Sequence, residues 1–291
     1  MRIETKMKIG IIGHGFVGKA VEYGFTHPAN EFMLIDPKLG TSIDDLVEWQ
    51  PNLVFVCTPT PMRSSGKVDS TITEDAVLKV MYHTQAGVAL KSTCTPDVIE
   101  RILMSIDTEE DKRYLNRFCY NPEFLTEANA FDQFTSQPYI IVGGESQACQ
   151  ALLSLYEDYS NVTVGGVFQC SAIEASIIKY SINSFLALKT TFFNELYDLC
   201  DDAGVFYSKV MKGMMMDGRV GYSHMKVPGH DGRRGFGGAC FPKDTKALTV
   251  YSDRMTLLES AIEINNKYRS DYDLNERELQ QNVTYGQAKE E

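Results

Sequence analysis

The stretch KIGIIGHGFVGKAVEYGF (8–25) decides the fold. Its opening run, KIGIIG (8–13), is short, apolar and rich in β-branched residues, which predicts a buried strand. GHGFVG (13–18) follows at once, and KAVEYGF (19–25) fits a helix. Three glycines in this pattern are a weak signal in a chain with 22 of them, but here they close a strand and open a helix. Gly13 permits the tight turn, Gly15 lets backbone approach a pyrophosphate, and Gly18 allows helix and strand to pack closely. The helix N-terminus, with Phe16 and Val17 at its start, then meets the phosphate charge. The next apolar run, FMLID (32–36), ends in an acid. Asp36 can accept hydrogen bonds from both hydroxyls of an adenosine ribose and would repel a 2′-phosphate, so the pattern predicts NAD over NADP. Lys38 weakens that preference slightly.

Working outward, LVFVCT (53–58), VALKST (88–93), RFCYN (117–121) and YIIVGG (139–144) are further short apolar runs. EDAVLKVMYHTQ (74–85) and DVIERILMSI (97–106) read as helices between them. The alternation predicts an α/β domain over residues 1–170: a Rossmann-type doubly wound parallel sheet, covered on both faces. In such sheets ligands gather at the carboxyl ends of strands. Those ends carry Thr58, Pro59 and Thr60, then Thr93, then Asn121-Pro122-Glu123-Phe124. Asn121-Pro122 has the form of a helix start, which would put Glu123 and Glu127 on one face.

From Ala172 the chain turns helical and runs without glycine or proline to Gly204. A helix of that length, about 45 Å, is longer than a small domain needs and predicts the spine of a homodimer. Lys179 and Asn183 lie one turn apart on it, in a largely uncharged stretch where a lysine is desolvated. The predicted helical domain covers 171–272 and is followed by a polar, mobile tail over 273–291. Between its helices the segment 217–244 carries five glycines within ten positions (229, 232, 235, 237, 238), together with Arg219, Arg233 and Arg234 as candidate phosphate ligands. It ends in GFGGACFPKD (235–244), which sets Cys240 between a glycine run and the Lys243-Asp244 pair. A structural cysteine prefers apolar company, whereas a nearby ammonium makes thiolate available.

The totals limit the function classes. Among 291 residues, 28 Lys and Arg against 39 Asp and Glu give a net charge of −11, which argues against binding nucleic acid through a basic surface. Seven scattered cysteines with no CxxC pair fit a reducing cytoplasm. The five histidines show no ligand spacing, so no metal is expected. No run of 18 apolar residues predicts a membrane span.

With GHGFVG (13–18), VCTPTP (56–61), KST (91–93), NPEFLTEANA (121–130), the Lys179 to Asn183 spacing, NEL (194–196) and GFGGACFPKD in this order, the chain resembles the UDP-glucose/GDP-mannose dehydrogenase family from Lys8 to about Arg269. That family oxidises C6 of a nucleotide sugar twice, from alcohol to acid, with two NAD. The resemblance implies that Cys240 captures the intermediate aldehyde covalently, and that Lys179 and Asn183 stabilise the oxyanion. It implies that Thr93, Glu123 and Asp244 position water and move protons. It further implies NAD contacts at Gly13, Gly15, Phe16, Val17, Gly18, Asp36, Thr58, Pro59, Thr60, Thr93 and Glu127. The sugar nucleotide, UDP-glucose first, would be held by Glu123, Phe124, Leu125, Lys179, Asn183, Arg219, Gly237 and Lys243. UDP-N-acetylhexosamines and GDP-mannose stand next as substrates.

The departures are Thr95 and Asp97 where the family usually has Pro and Gly, Ala128 in place of a common Gly, and HDGRR (230–234) as an insertion. The family's C-terminal nucleotide-binding domain is expected to be absent. Two further functions stay open at this point: a two-electron β-hydroxyacid-type dehydrogenase, and a protein that binds NAD or nucleotide sugar with little turnover.

Overall fold

A computed structural model describes residues 6–107, 113–126 and 129–286. The chain forms two compact units, Met1–Thr60 with Asp69–Lys179, and Pro61–Val68 with Tyr180–Glu291.

The first unit is built on strands β1 (Met7–Ile12), β2 (Asn30–Ile35), β3 (Leu53–Val56), β4 (Gly87–Leu90), β5 (Phe118–Tyr120), β6 (Ser136–Gln137), β7 (Ile140–Gly144), β8 (Thr163–Val164) and β9 (Val167–Cys170). Helices α1 (Phe16–Gly24), α2 (Ile43–Trp49), α3 (Thr71–His83), α4 (Pro96–Ile106), α5 (Ala130–Thr135) and α6 (Ser146–Asp158) connect them. Seven strands form one sheet in the order β2-β1-β3-β4-β5-β7-β9, and β6 pairs with β8 separately. β1 is parallel to both neighbours, with Ile9 opposite Phe32 on one side and Leu53 on the other. The strand order reverses there, so β1 and β3 flank the crevice where doubly wound sheets bind ligands. Ile9, Ile11, Phe55 and Ala89 from the strands pack with Val21 of α1, with Phe25 at its C-cap, and with Leu152 and Tyr156 of α6. The Phe25 ring lies 4.9 Å from the rings of both Phe55 and Tyr156.

The doubly wound parallel sheet has one antiparallel pairing, between β7 and β5. They pair only at Cys119 with Gly144 and Tyr120 with Gly143. A Cβ on Gly143 would stand 2.6 Å from the Ser171 carbonyl, and one on Gly144 2.8 Å from the Phe118 carbonyl. Gly144 thus lets β7 pass close to β5, and Gly143 lets the chain entering α7 pass close to β7.

α7 (Ala172–Asp202) is a single helix of 31 residues that begins in the first unit and continues in the second. The second unit adds α8 (Tyr207–Met214), α9 (Phe241–Tyr251), α10 (Thr256–Arg269) and α11 (Glu276–Gln280). The last differs from the expected mobile tail. Asn275 accepts from the Arg277 and Glu278 amides, the Glu278 carboxylate accepts from the Asn275 amide, and Val283 is buried. The reciprocal box satisfies helix-end donors that a polar tail would leave to water. Among the described residues no helix is long and apolar enough to cross a membrane.

Candidate active site

In the first unit the glycine turn has the predicted form. Gly13 adopts φ +89, and a Cβ there would lie 2.6 Å from the Cys57 carbonyl. A Cβ on Gly18 would lie 2.1 Å from the Gly13 carbonyl, so α1 can pack on the turn only with hydrogen at that position. Gly15 is of another kind, since no atom stands within 4 Å of where its Cβ would be. It is the N-cap of α1, whose first turn has no side-chain cap and no acidic residue. A helix start without a side-chain cap or an acid is the kind that receives an anion. Asp36 closes β2 with one carboxylate oxygen accepting from the His14 amide at 2.9 Å and the other from the Lys38 amide at 2.9 Å. Each oxygen retains a lone pair for a ribose hydroxyl. The open space at Gly15 and the fastened carboxylate fit an adenine dinucleotide, with Phe16 and Val17 at the head of α1 half-buried beside it.

The other candidate residues of this unit fall at the carboxyl ends of β3, β4 and β5. The Thr58 hydroxyl is committed to Thr73 at 2.7 Å and Ser92 at 3.2 Å, so Thr58 offers a ligand its backbone rather than its side chain. Pro59 is exposed, and Thr60 donates to the carbonyl of half-buried Thr93 at 2.9 Å. The predicted helix at Asn121-Pro122 does not form, and residues 121–126 are irregular. Asn121 cannot cap a helix because its side chain serves the sheet: it donates to the Ile141 carbonyl and accepts from Lys91 and Tyr156. Glu123 instead folds onto its own loop, one oxygen accepting from the Leu125 amide at 2.7 Å. Glu127 lies outside the described residues.

Lys179, only 3% exposed, donates to the Glu123 carbonyl at 2.6 Å and sits 5.0 Å over the Phe124 ring. Glu123, Phe124, Leu125 and Lys179 are thereby neighbours. Beneath them lies a residue the sequence reading missed. Lys91 is buried and donates to the Asn121 carbonyl at 3.1 Å and to its side-chain oxygen at 2.9 Å. Burial pushes its ammonium down to about 8, against the attraction of Cys57 and Glu123. A lysine ending an apolar run was the available signal. His14 likewise went unnoticed, its Nε2 lying 2.7 Å from the Glu22 carboxylate on α1.

In the second unit, Asn183 donates to Asp244 Oδ2 at 2.6 Å, and Lys243 pairs with Asp244 Oδ1 at 2.6 Å. Asp244 is 1% exposed, so its charge depends on those two donors. Asp244 also donates its amide to the Cys240 carbonyl at 2.8 Å. Cys240 is the N-cap of α9, half-buried and in no disulfide. Lys179 in the first unit and Asn183 in the second are carried by α7 four positions apart.

The glycines before Cys240 serve packing at two positions. Gly235 has φ +71, and its Cβ would meet the Asn265 side-chain oxygen at 2.4 Å. Gly237 lies against the Arg269 guanidinium, whose atoms would stand 2.5 to 2.8 Å from a Cβ. The arginines named as phosphate ligands have protein partners. Arg234 binds Asn194 and Asp198 and stacks between Tyr197 and Tyr268 at 5.0 and 4.4 Å. Arg233 donates to the Asp273 carbonyl at 2.6 Å. Arg219, with its side chain 89% exposed, pairs with Asp217.

Family models match on both sides of this arrangement. The NAD binding domain of the UDP-glucose/GDP-mannose dehydrogenase family matches residues 38–160, and the central domain of the same family matches 173–267. The chain belongs to the UDP-glucose/GDP-mannose dehydrogenase family. Its cofactor is NAD. It is 27% identical to UDP-glucose 6-dehydrogenase TuaD of Bacillus subtilis over 300 aligned positions, which cover 90% of this chain and 63% of that protein. The chain therefore spans less than two thirds of that relative's length. In fold it is similar to a UDP-glucose dehydrogenase from Pyrobaculum islandicum (TM-score 0.76, 23% identity, 92% of this chain and 69% of that one). It is similar also to 3-hydroxyisobutyrate dehydrogenase of Mycobacterium tuberculosis (TM-score 0.70, 14% identity, 91% and 94%).

Proposed function

We propose that the chain is an NAD-dependent nucleotide-sugar 6-dehydrogenase that converts UDP-glucose to UDP-glucuronate by a four-electron oxidation through Cys240. The observation that carries this reading is a half-buried cysteine, in no disulfide, heading α9, followed by a carboxylate held between Asn183 and Lys243. NAD, when bound, accepts the hydride that each two-electron step releases, so two are consumed per sugar. The Cys240 thiolate adds to the C6 aldehyde, forming an S–C bond, and the carbonyl oxygen becomes an oxyanion. Lys179 and Asn183 each hold a donor beyond those already engaged, and these are assigned to that oxyanion. Loss of the second hydride leaves a thioester. Water attacks it, the C–S bond breaks, and the acid and the thiolate separate. Glu123 has one carboxylate oxygen beyond the one bound by Leu125 and takes the proton of that water, with Thr93 and Asp244 positioning it. Gly13, Gly15, Gly18 and Asp36 hold the cofactor. Phe124, Leu125, Gly237, Lys243 and Arg219 are assigned to the sugar nucleotide.

A second copy of the chain is the assigned partner. Phe185, Phe192 and Leu199 on α7 are 64%, 53% and 60% exposed and recur every seven residues, which lines them along one helix face. Light scattering on wild type and Phe192→Glu tests this. A monomeric wild type refutes it.

The deciding assay counts NADH per sugar with UDP-glucose and a panel of other nucleotide sugars. Two per sugar supports the four-electron reading. One supports the β-hydroxyacid-type alternative, whose layout includes the same Lys179 and Asn183 spacing. Binding without NADH supports a non-catalytic protein. Conversion to the acid at wild-type rate by Cys240→Ser refutes the thiol mechanism.

A further inference from the structure

Two stretches outside the family motifs, the insertion 230–234 and the segment after α10, converge on the loop that carries Cys240. Asp231 pairs with Arg269 at 2.8 Å, and Arg269 donates to the Gly235 carbonyl at 3.0 Å beneath the flat face of Gly237. From α11 comes Glu278, 0% exposed. One of its oxygens accepts from the Gly238 amide at 2.8 Å and from the Tyr285 hydroxyl at 2.8 Å, and the other from the Asn275 amide at 2.9 Å. The segment is anchored beyond α11, where Met62 donates to the Gln281 carbonyl at 3.0 Å and Asn282 donates to the Met62 carbonyl at 3.0 Å. A helix of five residues has no stability of its own, so these ties hold it. Burial pushes the Glu278 carboxyl up, yet the Asn275 and Gly238 amides, the Tyr285 hydroxyl and the Arg269 charge hold it below the ordinary range. The group facing Gly238 is thus an ionised acceptor, and charge-assisted bonds of this kind are the strong ones. Its partner is the amide two residues before Cys240, in a glycine at φ +80 that turns the loop into α9.

We propose that Glu278 is a positioning residue: by accepting the Gly238 amide it fixes the backbone that presents Cys240 at the head of α9. The proposal rests on Cys240 being the nucleophile. A reacting atom displaced by about 1 Å loses on the order of a hundredfold in rate. Glu278→Ala in the full chain should therefore lower kcat by about tenfold or more while KM for NAD, bound in the other unit, stays within about twofold. The rate of Cys240 alkylation by iodoacetamide, followed across neutral to alkaline pH by peptide mass spectrometry, should depart from the wild-type profile. Glu278→Gln, which keeps one acceptor oxygen, should recover part of both. Val283→Ala is the control for simple loss of packing in the same segment, and should lower the melting temperature with the alkylation profile unchanged. A folded Glu278→Ala with wild-type kcat and alkylation overturns the proposal, as does an equal change in Val283→Ala. Where Glu278→Ala does not fold, Glu278→Gln decides: faster hydrogen exchange at the Gly238 amide with unaltered kcat also overturns it. Full conversion to the acid by Cys240→Ser would instead remove the nucleophile reading. The alkylation and exchange measurements would still judge the clamp.

Discussion

Gly15→Ala separates a glycine needed by a ligand from one needed by the fold. The added methyl meets no protein atom within 4 Å, so stability should barely change. As an N-cap, alanine is worse than glycine by about 1 kcal/mol, while the stiffer unfolded chain returns about 0.4–1 kcal/mol. The net effect on melting is then no more than about 4 °C for a chain of this size. NAD binding should behave differently, because the methyl occupies the space through which the pyrophosphate approaches the first-turn amides of α1. Losing one charge-assisted hydrogen bond costs about 1.5–3 kcal/mol, or a dissociation constant about 10- to 150-fold higher. Calorimetric titration with NAD, paired with a thermal melt, reads both quantities. Gly18→Ala is the contrast, since its methyl would press to 2.1 Å on backbone and should impair folding itself. An unchanged NAD affinity in Gly15→Ala, or a melting point lowered as far as in Gly18→Ala, would refute the division of labour between these glycines.

Lys91 makes a pH signature. Its pKa is near 8 in the folded chain and 10.5 ordinarily, so between those values the unfolded chain holds the proton that the native chain has released. Stability from this group is therefore fullest above the ordinary value and is lost as pH falls through 8, and from pH 7 to 9 wild type should gain about 1 kcal/mol over Lys91→Met. Parallel urea-denaturation stabilities in the two proteins over that span would contradict it. Above pH 9 the half-buried Cys57 thiol, pushed up to about 12 by desolvation, works in the opposite direction. Asn183→Ala leaves a buried Asp244 oxygen without its donor and should cost about 1–3 kcal/mol in denaturant unfolding. Asn183→Asp should cost more near neutral pH, with the gap closing in acid, and equal stabilities at neutral pH would count against the buried pair. Gly237→Ala drives a methyl into a guanidinium already tied at both ends and should lose about 1–3 kcal/mol. An unchanged melting point would mean that the Arg269 contact is loose.

Elements whose sequence carries its own periodicity were legible. β1, the turn and α1 could be read because one strand, three glycines and one helix follow each other without a gap, and α7 because nothing interrupts it from 172 to 202. The 121–126 segment misled because Asn121 and Pro122 have helix-start chemistry, while the Asn121 side chain is drawn off by Lys91, Tyr156 and Ile141, distant in sequence. Lys91 and Glu278 were invisible as site elements for the same reason: their importance comes from burial and from partners far along the chain. Asn-Glu-Arg-Glu (275–278) did carry a capping-box signal, obscured by the polarity around it. Arg233 and Arg234 drew attention as charges, yet they are engaged within the protein, by aromatic rings, by carbonyls and, for Arg234, by the Asp198 carboxylate.

The flat contact between Gly237 and Arg269 ties together the histories of two positions 32 residues apart in the chain. A side chain at 237 presses on the guanidinium, and its displacement takes the partner from Asp231 Oδ2 and from the Gly235 carbonyl. Single steps at 237, 269 or 231 all lead downhill, so a lineage descending from this sequence must keep the trio or trade it as a set.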